Sequence, residues 1–236
     1  MASALVIGST GLVGNEVLKT LIAGPAFTTL HTICRRDPKQ TSPKLHNVTE
    51  ADSSKWAATI KALSPPPDAV IAALGTTKAQ AGSVEAQWKI DHDLNIELAK
   101  AAKEAGVRTF VLVSSAGTRG LVSGFSMLPY AKMKVGVEDA VMGMGFEHVV
   151  IMRPATILGE RETQKAQKGG AVFVSMINGL GRVSGSLRDA LGQDAEVIAR
   201  AAVHAARVAG EGKAPKNPWI LESADIVKHG RDEWKE

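Results

Sequence analysis

Several things are scarce in this sequence, and each scarcity narrows what the chain can be. Its 236 residues include one cysteine, Cys34, so no disulfide can form within the chain and a reducing compartment is expected. Aromatic residues make up 4%, and tyrosine occurs once, as Tyr130. No apolar run approaches the roughly 18 residues of a membrane span, so no transmembrane helix is expected. The formal charge is +4, yet Lys and Arg form no dense run. RNP, zinc-finger and basic-zipper patterns are missing, which argues against nucleic acid as a partner. HExxH and CxxC spacings are missing too. The "DHD" at 91–93 puts side chains on diverging faces of a helix, so no metal is expected. Mild basicity without a basic patch suits an anionic small ligand or an acidic surface.

What is present is alternation. "ALVIG" (4–8), "LHTICR" (30–35), "DAVIAALG" (68–75), "RTFVLVSS" (108–115), "HVVIMRP" (148–154) and "PWILES" (218–223) read as buried strands. Near-continuous apolar character is what parallel strands covered on both faces need. Helices are expected over 12–23, 53–63, 83–105, 130–144 and 194–210. In the 83–105 helix, Trp88, Leu94, Leu98 and Ala102 form the apolar face and Gly106 is the stop. The pattern predicts an α/β fold, a Rossmann-type doubly wound parallel sheet with helices on both faces. One domain over 1–236 is expected, with a small C-terminal region covering a substrate. The Gly-rich stretch within 160–190, "KGGAVFVSMINGLGRVSGS" at 168–186, is read as its flap.

The first strand runs into "GSTGLVG": Gly8, Ser9, Thr10, Gly11, Leu12, Val13 and Gly14. A turn of this kind uses glycine to turn tightly, to let backbone approach a pyrophosphate, and to pack helix on strand. The helix N-terminus then offers free N–H groups to phosphate. A presequence cleaved here would remove the first strand, so none is expected. After the second strand, where an NAD site places an acid for the ribose 2′-OH, the chain reads "ICRRDP". Arg35 and Arg36 are therefore candidates to clamp a 2′-phosphate, Arg35 first because it is nearer the strand end. Asp52, at the end of a short third strand, is a candidate for the adenine amino group or a plain helix N-cap. Leu74, Gly75 and Thr76, ending the fourth strand, are expected to line the cofactor.

"VLVSSAG" ends a strand at Ser114 and Ser115, and "LPYAKMKVGVEDAV" starts a helix carrying Tyr130 and Lys134. Residues four apart share a helix face. A nearby ammonium and a cationic nicotinamide both favour ionisation of a phenol. Such a tyrosine can pass a proton to a carbonyl oxygen as hydride arrives from a cofactor, with a serine hydroxyl holding the same oxygen. Phe125, Met127 and Leu128, with Phe173 and Met176, form a substrate wall or ordinary core. Cys34 is read as a buried strand cysteine.

With these residues in view, the chain resembles the short-chain dehydrogenase/reductase superfamily. It is most similar to the atypical branch holding the fungal "found in mitochondrial proteome" proteins and the mammalian Tat-interacting oxidoreductase-like proteins. The resemblance rests on "GSTGLVG" (8–14), "ALGTTKAQAG" (73–82), "IDHD" (90–93), "VSSAG" (113–117), "YAKMKVGVE" (130–138) and "RPATILGERE" (153–162). It implies NADPH/NADP as cofactor, Tyr130 and Lys134 as the active pair, and Ser115 as the partner serine. It also implies that Ala155, Thr156 and Ile157 close over the nicotinamide. Members of the extended branch often carry Asn where this chain has Asp91. A mitochondrial outer surface location, held peripherally, is implied as well, whereas the residues alone indicate only a cytosol-facing protein. Three functions follow: an NADPH-dependent reductase of a small-molecule carbonyl or enone, a non-catalytic NADPH-binding sensor or scaffold acting through a protein partner, or a lyase, isomerase or epimerase using the same cofactor fold. Neither the substrate nor the choice between monomer and dimer is readable from the residues.

Overall fold

The computed structural model describes residues 2–119, 128–159 and 185–235. It begins with β1 (Ser3–Ile7), apolar from Ala4 onward because both faces of the sheet are covered. Ala4 and Val6 enter one core, Leu5 and Ile7 the other. The glycine turn leads to α1 (Leu12–Ala23), β2 (Thr29–Cys34) and β3 (Leu45–Thr49). The chain then crosses back through α2 (Trp56–Ala62) to β4 (Ala69–Ala72), which pairs with the other edge of β1. Next come α3 (Lys78–Ala81), α4 (Val84–Trp88), a π-helical turn at Lys89–Leu94, and α5 (Asn95–Ala105). They are followed by β5 (Thr109–Val113), α6 (Pro129–Gly143) and β6 (His148–Arg153). The last part holds β7 (Thr156–Leu158), α7 (Gly185–Leu191), β8 (Gly192–Asp194), α8 (Ala195–Gly210), β9 (Trp219–Glu222) and α9 (Ser223–Val227).

The main sheet has the order β3-β2-β1-β4-β5-β6-β9, with every pairing parallel. A separate pair, β7-β8, stands apart from it. One face is covered by α1 and α8, the other by α2, α5 and α6. The buried face of α8 is largely alanine, including Ala199, Ala202 and Ala206, so it lies close against α1. Each fully buried large side chain, such as Ile60, Leu98 or Ile151, contributes roughly 1.5–3 kcal/mol. This is the doubly wound parallel sheet expected from the sequence.

The differences are local. The helix expected over 83–105 is broken into α4, a π turn and α5, and the π turn carries Asp91. The third strand ends at Thr49 rather than Asp52. It is a sheet edge with four of its five residues exposed, so no apolar run marks it. Ala73 and Ser114 still donate to the Ile7 and Met152 carbonyls of the neighbouring strands, and the chain beyond them forms a rim.

Candidate active site

Beyond the C-terminal ends of β1, β4 and β5 lies a cavity of about 660 Å³. The order of the sheet reverses there: from β1 the chain moves outward to β2 and β3, then returns to β4 on the other side. Ligands of open α/β sheets sit at such a switch point.

The glycine turn forms the cavity floor, and its glycines differ in role. Gly8 has φ +86°, and a Cβ there would lie 2.7 Å from the Ala73 carbonyl oxygen. A Cβ on Gly14 would lie 2.1 Å from the Gly8 carbonyl oxygen, so this glycine lets α1 meet β1. Gly11 caps α1 without a side-chain hydrogen bond, leaving first-turn N–H groups free of a side-chain cap. Thr10, Gly11, Leu12 and Val13 line the cavity. Ser9 does not: its fully buried hydroxyl is 2.5 Å from Thr32 Oγ1 and donates to Cys34 Sγ at 3.6 Å. Cys34 is itself buried and donates to Asn47 Oδ1 at 3.1 Å.

Past β2, the two arginines differ in placement. Arg36 lines the cavity, whereas Arg35 stays outside it. Asp37 is tied back to β3, accepting hydrogen bonds from Asn47 Nδ2 at 3.0 Å and from Thr49 Oγ1. Asp52 also lies outside the cavity wall. It caps the short turn Ser53–Lys55, accepting from Ser54 N at 3.0 Å and Ser54 Oγ at 2.7 Å. The Ser54 hydroxyl holds its carboxyl below the ordinary range. Of its two expected roles, the N-cap is the one this geometry fills.

Leu74, Gly75 and Thr76 line the middle of the cavity. Beneath them is Asp91, 1% exposed, which accepts from Thr76 N at 2.6 Å and Gln87 Nε2 at 3.1 Å. Tyr130 and Lys134 reach the cavity from the first turns of α6, where Pro129 occupies the start of the helix. Lys134 Nζ is 5.9 Å from the Tyr130 ring centroid. Lys134 is buried, and Tyr130 is 36% exposed, open enough to meet a ligand.

The two serines differ in placement. Ser114 lines the cavity, but its hydroxyl donates to Glu138 Oε1 at 2.5 Å. Ser115 is outside the wall, and its hydroxyl makes only a 3.4 Å bond to the Ala116 carbonyl. Glu138, on the same face of α6 as Tyr130 and Lys134, is fully buried. It also accepts from Arg153 Nη2 at 2.7 Å and Arg119 Nε at 2.8 Å. Burial pushes its carboxyl up, but the bonds from Arg153, Ser114 and Arg119 together outweigh that and hold it below the ordinary range. Sequence reasoning missed this cluster; its only signal was a glutamate eight residues after the tyrosine.

Of the segment expected to close the site, Ile157 lines the cavity, while Ala155 and Thr156 are not part of its wall. Gln193, also missed, holds that segment: its buried Oε1 accepts from Ala155 N at 2.7 Å. Leu128 is half-exposed beside Tyr130. Phe125, Met127, Phe173, Met176 and nearly all of the proposed flap lie outside the described residues. Among the described residues, no helix is long and apolar enough to cross a membrane.

A doubly wound sheet with this turn and this cavity defines a dinucleotide-binding protein class, and the chain belongs to the NAD dependent epimerase/dehydratase family, whose model matches residues 4–187. It is 53% identical over 237 residues to "Protein FMP52, mitochondrial" of Chaetomium globosum, covering 100% of both chains. It is 52% identical over 239 residues to "Protein fmp-52, mitochondrial" of Neurospora crassa, covering 99% of this chain and 97% of that one. The fold matches the Bordetella bronchiseptica enzyme WbmH, solved in complex with NAD+, at TM-score 0.66 and 18% identity. That match covers 100% of this chain and 94% of the other.

Proposed function

We propose that this chain is an NADPH-dependent oxidoreductase that reduces the carbonyl or enone of a small molecule, with Tyr130 as proton donor. The observation that carries the reading is one cavity joining Arg36 to Tyr130 and Lys134. These groups follow β2 and β5, which β1 and β4 separate. At the usual strand spacing that is roughly 14 Å, a span suited to an extended dinucleotide.

The residues present fit such a ligand. Gly11 leaves the cradle at the α1 N-terminus bare, where a pyrophosphate meets N–H groups and the helix dipole. Arg36 has no ion pair among the described residues and supplies a planar cation for a 2′-phosphate. NADPH supplies the hydride when bound. Tyr130 Oη gives its proton to the substrate oxygen, and the Lys134 ammonium offsets the charge left on the phenol. Ser115 is the partner serine, because its weak 3.4 Å bond leaves its hydroxyl able to turn to that oxygen. The Ser114 hydroxyl is already committed to Glu138.

The chain works as one domain over 1–236, with the segment Ala155–Ile157 meeting the substrate end of the cavity through Ile157. The relatives' names support a mitochondrial location, which we place peripherally on the outer surface. Carbonate extraction of purified mitochondria should release the protein, and protease added outside should remove it. The function is tested by calorimetric titration of both cofactors. NADPH should bind more tightly than NADH; equal affinity, or tighter NADH, overturns the cofactor assignment.

A further inference from the structure

Asp91 is a carboxylate in the wrong place for a site that holds an anionic ligand. It lines the cavity, is 1% exposed, and among the described residues accepts hydrogen bonds from neutral donors, Thr76 N and Gln87 Nε2. The two other carboxylates in the wall are engaged elsewhere. Glu16 pairs with Lys19 at 2.8 Å, and Asp37 is tied to Asn47 and Thr49 on β3. Asp91 faces the opposite end. A Cβ built on Gly75 would lie 3.8 Å from Asp91 Oδ1 and 3.9 Å from Lys134 Nζ, so both charges border the same small space beside Gly75. The carboxylate is held there rigidly by Thr76 N and Gln87 Nε2, with the π turn setting its direction.

We infer that Asp91 sets which oxidation state of the dinucleotide the cavity prefers. This rests on the reading above, in which the Tyr130 end receives the nicotinamide. The oxidised ring carries a positive charge and the reduced ring carries none; the rest of the two molecules is alike. A fixed carboxylate at that end attracts only the oxidised ring, and the Lys134 ammonium opposes it. The balance between Asp91 and Lys134 is therefore read directly as the ratio of the two affinities. Burial makes a single charge effective, because the local dielectric is far below that of water.

The test measures dissociation constants of NADP+ and NADPH by calorimetry for the wild type, Asp91→Asn and Lys134→Met. Asn keeps the shape and an acceptor for Thr76 N. Asp91→Asn should raise the ratio of the NADP+ to the NADPH dissociation constant, on the order of tenfold. Lys134→Met should lower the same ratio. Asp93→Asn, an exposed carboxylate two residues on that pairs with His92, should leave it unchanged. Wild-type binding of both forms with a ratio that Asp91→Asn does not move overturns the inference and leaves the cofactor reading standing. Failure of the wild type to bind either form overturns both. Should Asp91→Asn not fold, Asp91→Ser, which also lacks the charge and keeps an acceptor, is measured in its place.

Discussion

Gly11 and Gly14 stand one helical turn apart, and their surroundings assign them opposite sensitivities. Gly11→Val places a side chain over the cradle, where the nearest atom, the Gly8 carbonyl oxygen, is 3.2 Å from a Cβ. That protein should stay folded by circular dichroism but lose the rise in melting temperature that saturating NADPH gives. A wild-type thermal shift in Gly11→Val would remove this turn from the ligand site. Gly14→Ala instead drives a methyl into backbone and should lower stability without ligand by about 1–3 kcal/mol or more. The arginines divide in the same way. Arg36→Ala should weaken NADPH by roughly 10- to 100-fold, the loss of one charge-assisted contact of about 1.5–3 kcal/mol, while NADH is nearly unaffected. Arg35→Ala should change neither. If the two variants exchange these outcomes in calorimetry, the nearer arginine is the clamp after all.

At the scale of elements, Glu138 ties α6 to the ends of β5 and β6 through Ser114 and Arg153, directly behind Tyr130 and Lys134. Glu138→Gln leaves Arg119 and Arg153 with Asp139 and Glu222 as their remaining acidic partners and should destabilise the fold by about 1–3 kcal/mol near neutral pH. The sign with pH follows from the direction of the shift. The folded carboxyl ionises below its ordinary value of 4.5, so its contribution is complete above that pH and fades as pH falls through the folded value. Denaturant melts of both proteins from pH 7 to pH 3 should therefore converge at the acid end; a constant gap contradicts the clamp. Element boundaries were legible where one principle dominates. The helix expected over 12–23 is α1, because a glycine turn starts it and an apolar stripe runs through it. The π turn was not legible, since its residues read as ordinary helix formers and only tertiary packing inserts the extra residue. Nor was the identity of the cavity-facing arginine: proximity to a strand end does not say where a bend aims a side chain. Asp52 followed local capping chemistry, and Ser114 followed a glutamate that lies far from it in sequence.

At the scale of the molecule, the parallel sheet decides where chemistry can occur. Strand ends β2, β1, β4 and β5 deliver, in that spatial order, Arg36, the glycine turn, Leu74–Thr76 and Ser114, while α6 carries Tyr130 and Lys134 across the same rim. The sequence patterns already placed these motifs at strand ends, so the sheet needed only to set their order. The central claim is that this rim reduces a substrate with Tyr130 as the proton source. It is tested most directly by NADPH absorbance decay with a panel of quinones, aldehydes, ketones and enones, wild type beside Tyr130→Phe. Phe keeps the ring, so NADPH binding and folding should survive while turnover of the responsive substrate falls by roughly 10² or more. A substrate reduced equally fast by both proteins would contradict the account.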